Sequence, residues 1–154
     1  MTALEAITLA EVKAYLRVDF NNEDALITQL IKQSIEWVEI YTQHRIYNRE
    51  ITLVTYLEEV QLFDFPFVSV TSAKDKINVA LTYTIVDTGL LLFNTVEYKT
   101  IIYNAGYLLG TLPETLRLAI YKIVAFNFDN RLPTTEIPNE IRQSLGSFRR
   151  VTWF

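Results

Sequence analysis

The sequence predicts an α+β fold, mostly α, with helices toward both ends of the chain and one antiparallel β region between them. Three observations carry this. Up to about Thr42, apolar residues recur at helical spacing behind capping signals. From Tyr47 to Tyr107, short β-branched and aromatic runs replace that pattern. After Pro113 the helical spacing returns. The 154 residues are the length of one ordinary domain.

Thr8 followed by Glu11 is a capping-box spacing, in which hydroxyl and carboxylate each satisfy an orphan backbone donor. It opens a helix over about 8–17. The polar stretch Asp19 to Asp24 follows, with Asn21 or Asn22 placed to cap a second helix over about 22–42. On that helix Leu26, Ile27, Leu30, Ile31, Ile35, Trp37, Val38 and Tyr41 cover about half of the wheel at about 100° per residue. One core needs a narrower stripe, so Leu26, Leu30, Trp37 and Tyr41 are candidates to meet something beyond this subunit.

Ile51 to Leu57, Val68 to Ser72, Leu81 to Val86, Leu90 to Phe93 and Lys99 to Tyr107 read as strands. Pro66, Asp75 to Asn78 and Asp87-Thr88-Gly89 punctuate them. Pro113 opens a third helix over about 113–131. Leu116, Ala119, Ile120, Ile123, Val124 and Phe128 form one apolar face, while Leu118, Tyr121, Ala125 and Phe126 spread beyond it. A helix this apolar reads as buried on several sides, with Tyr121 and Phe126 as further interface candidates. Pro138 begins a last short helix to about Leu145, and the tail SFRRVTWF follows.

Composition narrows the function. Half of the residues are apolar and 21% are charged, which excludes disorder as the dominant state. With no cysteine, a disulfide or thiolate-metal scaffold is excluded. Fourteen Lys and Arg against eighteen Asp and Glu leave a net charge of −4, unlike the basic footprint of a nucleic-acid binder. No segment has the apolar length that spans a bilayer, and the N-terminus shows no cationic leader. Nine Phe, nine Tyr and two Trp are an excess of aromatics that fits a dense core or surface buried against partners.

Catalytic chemistry is hard to place. The one histidine, His44 in TQHR, reads as a turn or cap residue. Glu58 and Glu59 are adjacent, so in a strand they point to opposite faces and do not converge with Asp64. There is no Walker sequence, dinucleotide fingerprint or zinc-helix motif. The expectation is no enzyme, no catalytic residue, no cofactor and no metal. In the tail, Phe148, Arg149, Arg150, Trp153 and Phe154 suit protein docking, a frayed terminus, or stacking on single-stranded nucleic acid.

Several stretches together resemble one family. LAEVKAYLRVDFNNEDALITQLIKQSIEWVEIYTQHR looks like the N-terminal signature of the head–tail connector (adaptor, or head-completion) proteins of tailed bacteriophages, with Lys13, Leu16, Asp24, Ile35, Glu39, Thr42 and Arg45 at matching positions. FDFPFVSVTSAKD and YTIVDTGLLLF resemble the family's middle strands. YNAGYLLGTLPETLRLAIYKIVAFNFDNR resembles its most recognisable stretch, through Tyr103, Ala105, Gly106, Tyr107, Pro113, Leu116, Ala119, Asn130 and Arg131. Gln43 stands where a glycine is common, so the corner after the long helix is expected to be built differently.

The resemblance implies a helical bundle with an inserted small β region, about 47–107, in a single connector domain over 1–146, with 147–154 as a portal-docking tail. It implies a structural virion protein at the head–tail interface, assembled in the host cytoplasm. Such adaptors form a homo-oligomeric ring, usually a dodecamer, below the portal; they extend the DNA channel and offer a platform for stopper or tail-completion proteins. The partners implied are copies of itself, the portal protein, the stopper, and genomic double-stranded DNA passing without sequence-specific binding, with no membrane. The alternative is a DNA-binding or packaging accessory protein.

Overall fold

The computed structural model describes residues 2–130 and 137–149. The chain forms two compact units, Met1–Tyr47 with Tyr107–Phe154, and Asn48–Gly106.

The first unit is helical: α1 (Ala3–Ala6), α2 (Leu9–Leu16), α3 (Asp24–Thr42), α4 (Glu114–Asp129), α5 (Asn139–Ser144) and a 3₁₀ turn (Gly146–Phe148). The Thr8–Glu11 box closes as its spacing predicts: the Glu11 N–H donates to Thr8 Oγ1 at 3.3 Å, and the Thr8 N–H donates to Glu11 Oε2 at 2.9 Å. The same device recurs at the preceding helix, α1, where the Thr2 N–H donates to Glu5. Ile27, Ile31, Ile35 and Val38 of α3 share one core with Leu116, Ile120, Ile123 and Val124 of α4, joined by Val12, Ile141 and Leu145. Arg117 ties α4 to the first helices, donating to Ala6 O at 3.4 Å and to Glu11 Oε1 at 3.3 Å.

Two local expectations change. Asn21 does not cap α3; its Oδ1 accepts from Lys13 Nζ at 2.7 Å, and Lys13 also pairs with Asp24 at 2.6 Å. An ammonium competes better for that amide oxygen than a neutral helix N–H does. Nor is α4 buried all round: Leu118 is exposed, and Tyr121, Ala125 and Phe126 are only half-buried.

The second unit is all β: β1 (Arg49–Thr55), β2 (Glu59–Gln61), β3 (Phe67–Asp75), β4 (Tyr83–Asp87), β5 (Leu90–Phe93) and β6 (Lys99–Ala105). They make two antiparallel three-stranded sheets, ordered β1-β6-β3 and β2-β5-β4. The central strand β6 alternates strictly between buried and half-buried positions, the signature of a sheet with one face on a core. That core gathers Val60, Leu62, Ala73, Leu91, Phe93, Ile101, Tyr103 and Ala105.

This corrects the expected fold class. The chain is α+β, but not a mostly-α helical bundle with a small β insertion: 27% of the described structure is strand against 39% helix, and the strands form two sheets. The physical reason is a second hydrophobic cluster. The β segment buries its own Leu, Ile and Tyr residues and is not an appendage of the helices.

Candidate interaction surfaces

The polar residues that drew notice in the sequence prove to be tied into scaffold. His44 Nδ1 lies 2.9 Å from the Tyr107 hydroxyl, its ring stacks on Tyr107, and the edge of Phe148 meets it at 5.9 Å. The His44 backbone N–H donates to Thr42 Oγ1, which itself donates to Val38 O at 2.7 Å. Asp64 accepts from the buried Tyr103 hydroxyl, whereas Glu58 and Glu59 lie exposed. Among the described residues no group of three or more His, Asp and Glu is placed to hold a metal ion. No described helix is long and apolar enough to cross a membrane.

The corner after α3 shows what the signature residues do. Glu39, only 6% exposed, accepts the buried Ile46 N–H on Oε1 at 2.9 Å and faces Arg45 Nη1 across 3.4 Å. Gln43 ends α3 in the left-handed conformation (φ 63°, ψ 19°), and its N–H donates to Glu39 O. A glycine is the unstrained choice there, and glutamine adopts the same shape at a cost. Lys13 with Asp24 and Glu39 with Arg45 are ion pairs, while Ile35, Leu116 and Ala119 are core. Gly106 turns at φ 116°, its N–H donating to Pro66 O. These positions build the subunit.

Electrostatics are perturbed at the capping box of α2 and at Tyr107. Burial opposes ionisation of Glu11, but its hydrogen bonds with Thr8 and the nearby Arg117 outweigh that and hold its carboxyl below the ordinary glutamate range. Burial pushes the Tyr107 hydroxyl up.

The interface candidates scatter over the helical unit. Leu30 is buried in the core, and Leu26 is half-buried against it. Trp37 and Tyr41 stack with centroids 5.0 Å apart and planes within 10°. The Tyr41 hydroxyl donates to Arg142 O at 3.3 Å, and Arg149 lies over the Tyr41 ring at 5.5 Å. Tyr121 meets Tyr15 at 5.4 Å, and Phe126 lines a hollow of about 400 Å³ with Ile137, Pro138, Asn139 and Arg142. In the tail, Phe148 packs on the helical core and Arg149 on Tyr41, so the described part of the segment folds back on its own subunit. Arg150, Trp153 and Phe154 lie outside the described residues.

Sequence reasoning sought contact surface on the helices and the C-terminal tail. It missed exposed apolar side chains in the β unit, among them Tyr56, Leu57, Ile77, Val79, Ile85, Val86 and Val96. Strand alternation gave no warning, because most of these sit in turns and on edge strands.

The described residues thus form two units with separate cores, with the noted polar groups tied into scaffold and several apolar side chains left outside. The family is specific. A family model described as "Phage gp6-like head-tail connector protein" matches residues 6–149, and the chain belongs to that family. It is a head–tail connector, a virion component of the junction between head and tail.

Solved structures share the whole fold. A chain of the neck of an empty GTA particle, computed with C6 symmetry, superposes with a TM-score of 0.82 at 18% identity, covering 100% of this chain and 95% of that one. One from the neck of a native GTA particle, computed with C12 symmetry, gives 0.79 at 17%, covering 100% and 94%. A chain of the virion of a native gene transfer agent particle gives 0.77 at 20%, covering 97% and 92%. No curated protein matches the chain.

Proposed function

We propose that the chain is the adaptor of the connector: copies of it form a ring below the portal, extend the DNA channel and present a docking platform for stopper or tail-completion proteins. The observation that carries this reading is full-length similarity to chains of neck particles computed with C6 and C12 symmetry, joined to membership of the connector family. Apolar side chains outside both cores supply what such a ring needs, since head-to-tail copies touch through two different surfaces. Each Lys or Arg placed on phosphate adds affinity and hence drag on moving DNA, so a net charge of −4 suits a channel wall better than a DNA-binding regulator.

Trp37, Tyr41, Tyr121 and Phe126 remain the helical residues proposed for contact with neighbours, Leu26 contributing its half-buried edge; Leu30 has no free face left. The tail is proposed to dock on the portal. Because Phe148 and Arg149 pack on their own subunit, the cut that isolates docking removes residues 150–154. The test combines the full chain and this truncation with cognate portal assemblies, followed by sedimentation and negative-stain imaging. The full chain forms a ring on the portal; the truncated chain keeps its circular dichroism and binds more weakly. A full chain that stays monomeric beside its portal overturns the ring, and a truncated chain that docks equally well removes the tail from the mechanism.

A further inference from the structure

We infer that neighbouring copies of this chain join head to tail through their β units, the lysine-bearing tip after β3 of one subunit seating on the acidic shoulder between β1 and β2 of the next. The inference rests on the ring reading and gives that ring one of its contacts.

The topology sets the two surfaces on opposite sides. In the first sheet β1 and β3 flank β6, and both Thr55 at the end of β1 and Asp75 at the end of β3 pair with Lys99. The second sheet repeats the order, with β2 on one edge and β4 on the other. The links join like edges: only Tyr56-Leu57-Glu58 separates β1 from β2, and Ala80 bridges back to Lys74 just before β4, so one side carries β1, β2 and the link between them. The other carries β3, β4 and the link that follows Asp75.

Each side joins exposed apolar groups to charge of one sign. On the β3–β4 side Lys74 and Lys76 are exposed, Ile77 is 77% and Val79 54% exposed, and Ile85 and Val86 stand out from edge strand β4. On the β1–β2 side Tyr56 and Leu57 are more than 60% exposed beside the exposed Glu58 and Glu59. Val96 and Glu97, also exposed, precede Tyr98, whose ring meets Tyr56 at 5.5 Å. The side chains of Lys74, Lys76, Glu58, Glu59 and Glu97 take part in no ion pair among the described residues. The remaining acids of the lysine side are committed locally. Asp75 accepts the N–H groups of Ile77 and Val79 at 2.9 and 2.8 Å, and Asp87 accepts that of Thr88.

The tip is rigid before it binds. Besides the two bonds to its carboxylate, Asp75 N–H donates to Val79 O, and Leu81 N–H donates to Ala73 O. A loop already ordered loses little entropy on docking.

One partner satisfies both sides. Duplex DNA suits two lysines but is repelled by the shoulder, and an unrelated protein has no reason to carry both complements; a second copy carries both on one chain. Since tip and shoulder lie on opposite edges, two copies cannot satisfy both contacts mutually, and the pairing propagates head to tail, as closure of a ring requires. Complementary charge fixes orientation and partner, and the apolar groups supply affinity.

The sequence has no cysteine, so introduced thiols report without background. Full-length Leu57→Cys/Ile77→Cys, treated with a short bis-maleimide, gives a ladder of covalent multimers on denaturing gels, while either single variant gives none. Lys74→Glu/Lys76→Glu raises the concentration for half-assembly by roughly tenfold at low salt. Adding Glu58→Lys/Glu59→Lys to the same chain restores it, with folding followed by circular dichroism. Ring formation is scored separately on the unmodified chain by sedimentation and imaging. Rings without a ladder, unmoved by charge reversal, overturn the inference and leave the ring reading standing. A covalent dimer and nothing longer overturns the head-to-tail geometry. A chain that forms no ring at any concentration, alone or with portal, overturns both.

Discussion

Glu39 offers a sharp test of how the connector corner is held. The residue is 6% exposed, and its Oε1 is the acceptor for the Ile46 N–H, whose residue is fully buried. Glu39→Ala leaves that donor without its carboxylate in the core, a loss of about 1–3 kcal/mol. It also removes the pair with Arg45, whose side chain is 33% exposed, so solvent screening holds that part below about 1 kcal/mol. The expected cost is about 2–3 kcal/mol. Glu39→Gln keeps an amide oxygen for Ile46 and loses only the charge toward Arg45, for about 0.5–1 kcal/mol. Trp37 lies in the same helix, and a Trp153→Phe background makes it the sole indole reporter. In urea, with a slope near 2 kcal/mol per molar, Glu39→Ala lowers the midpoint by about 1–1.5 M and leaves the slope unchanged. Equal losses for the two variants, or a loss below about 1 kcal/mol for alanine, would refute the view that the Ile46 bond is the dominant contribution.

Three further outcomes follow from the same reasoning. Gln43→Gly relieves a left-handed backbone at an exposed side chain and raises stability by about 0.5 kcal/mol, the strain relieved being partly offset by the unfolded-state entropy of glycine; thermal unfolding checks it, with Gln43→Val expected to lose stability. Tyr103→Phe deletes the hydroxyl that donates to Asp64 and costs about 1–2 kcal/mol, read by the urea midpoint of the β unit. The folded-state pKa of Glu11 is depressed, so its contribution is complete above the ordinary value of 4.5 and is lost as pH falls through the lower folded value. Thr8→Ala therefore costs about 1 kcal/mol at neutral pH, and the gap to the parent narrows in acid; a gap independent of pH from 7 to 3 would remove the carboxylate from the account.

The elements were legible where a local rule acts alone. The Thr8–Glu11 box, the stripe Ile27-Ile31-Ile35-Val38 and the proline start of α4 each depend on near neighbours, and each stands close to its expected place. Two strands of the second sheet, β4 and β5, were legible, but the sheet itself was not. Its edge strand β2 has three residues, too few for an alternation to register, and only its pairing with Leu90–Leu92 makes it a strand. Without β2 the middle of the chain reads as one small insertion, and the helical share of the fold is overestimated. The corner at Gln43 misleads in the opposite sense: the missing glycine suggested a different construction, yet the backbone takes the shape that glycine favours. Among surfaces, the wide apolar arc of α3 was visible in the sequence, but the burial of Leu30 depends on α4, brought alongside from eighty-odd residues away.

The proposed ring asks two things of a chain with this much uncovered apolar surface: to stay dispersed before assembly and to associate within it. Its strand edges bear on both demands. A flat, regular, apolar edge recruits any other strand, but β4 carries a register shift between Ile85 and Asp87, and β3 carries two, between Phe67 and Ser69 and between Val70 and Ser72. Each shift breaks the even spacing of backbone donors and acceptors that a foreign strand would need. The exposed Ile77 and Val79 sit beside Lys74 and Lys76, and Leu57 beside Glu58, so a like surface meets like charge and is turned away. Association is then left to opposite surfaces, which only a neighbour in the correct orientation presents. In the contact proposed above, the charged residues beside the apolar ones would be the means by which the same side chains stay silent between like surfaces and adhere between opposite ones.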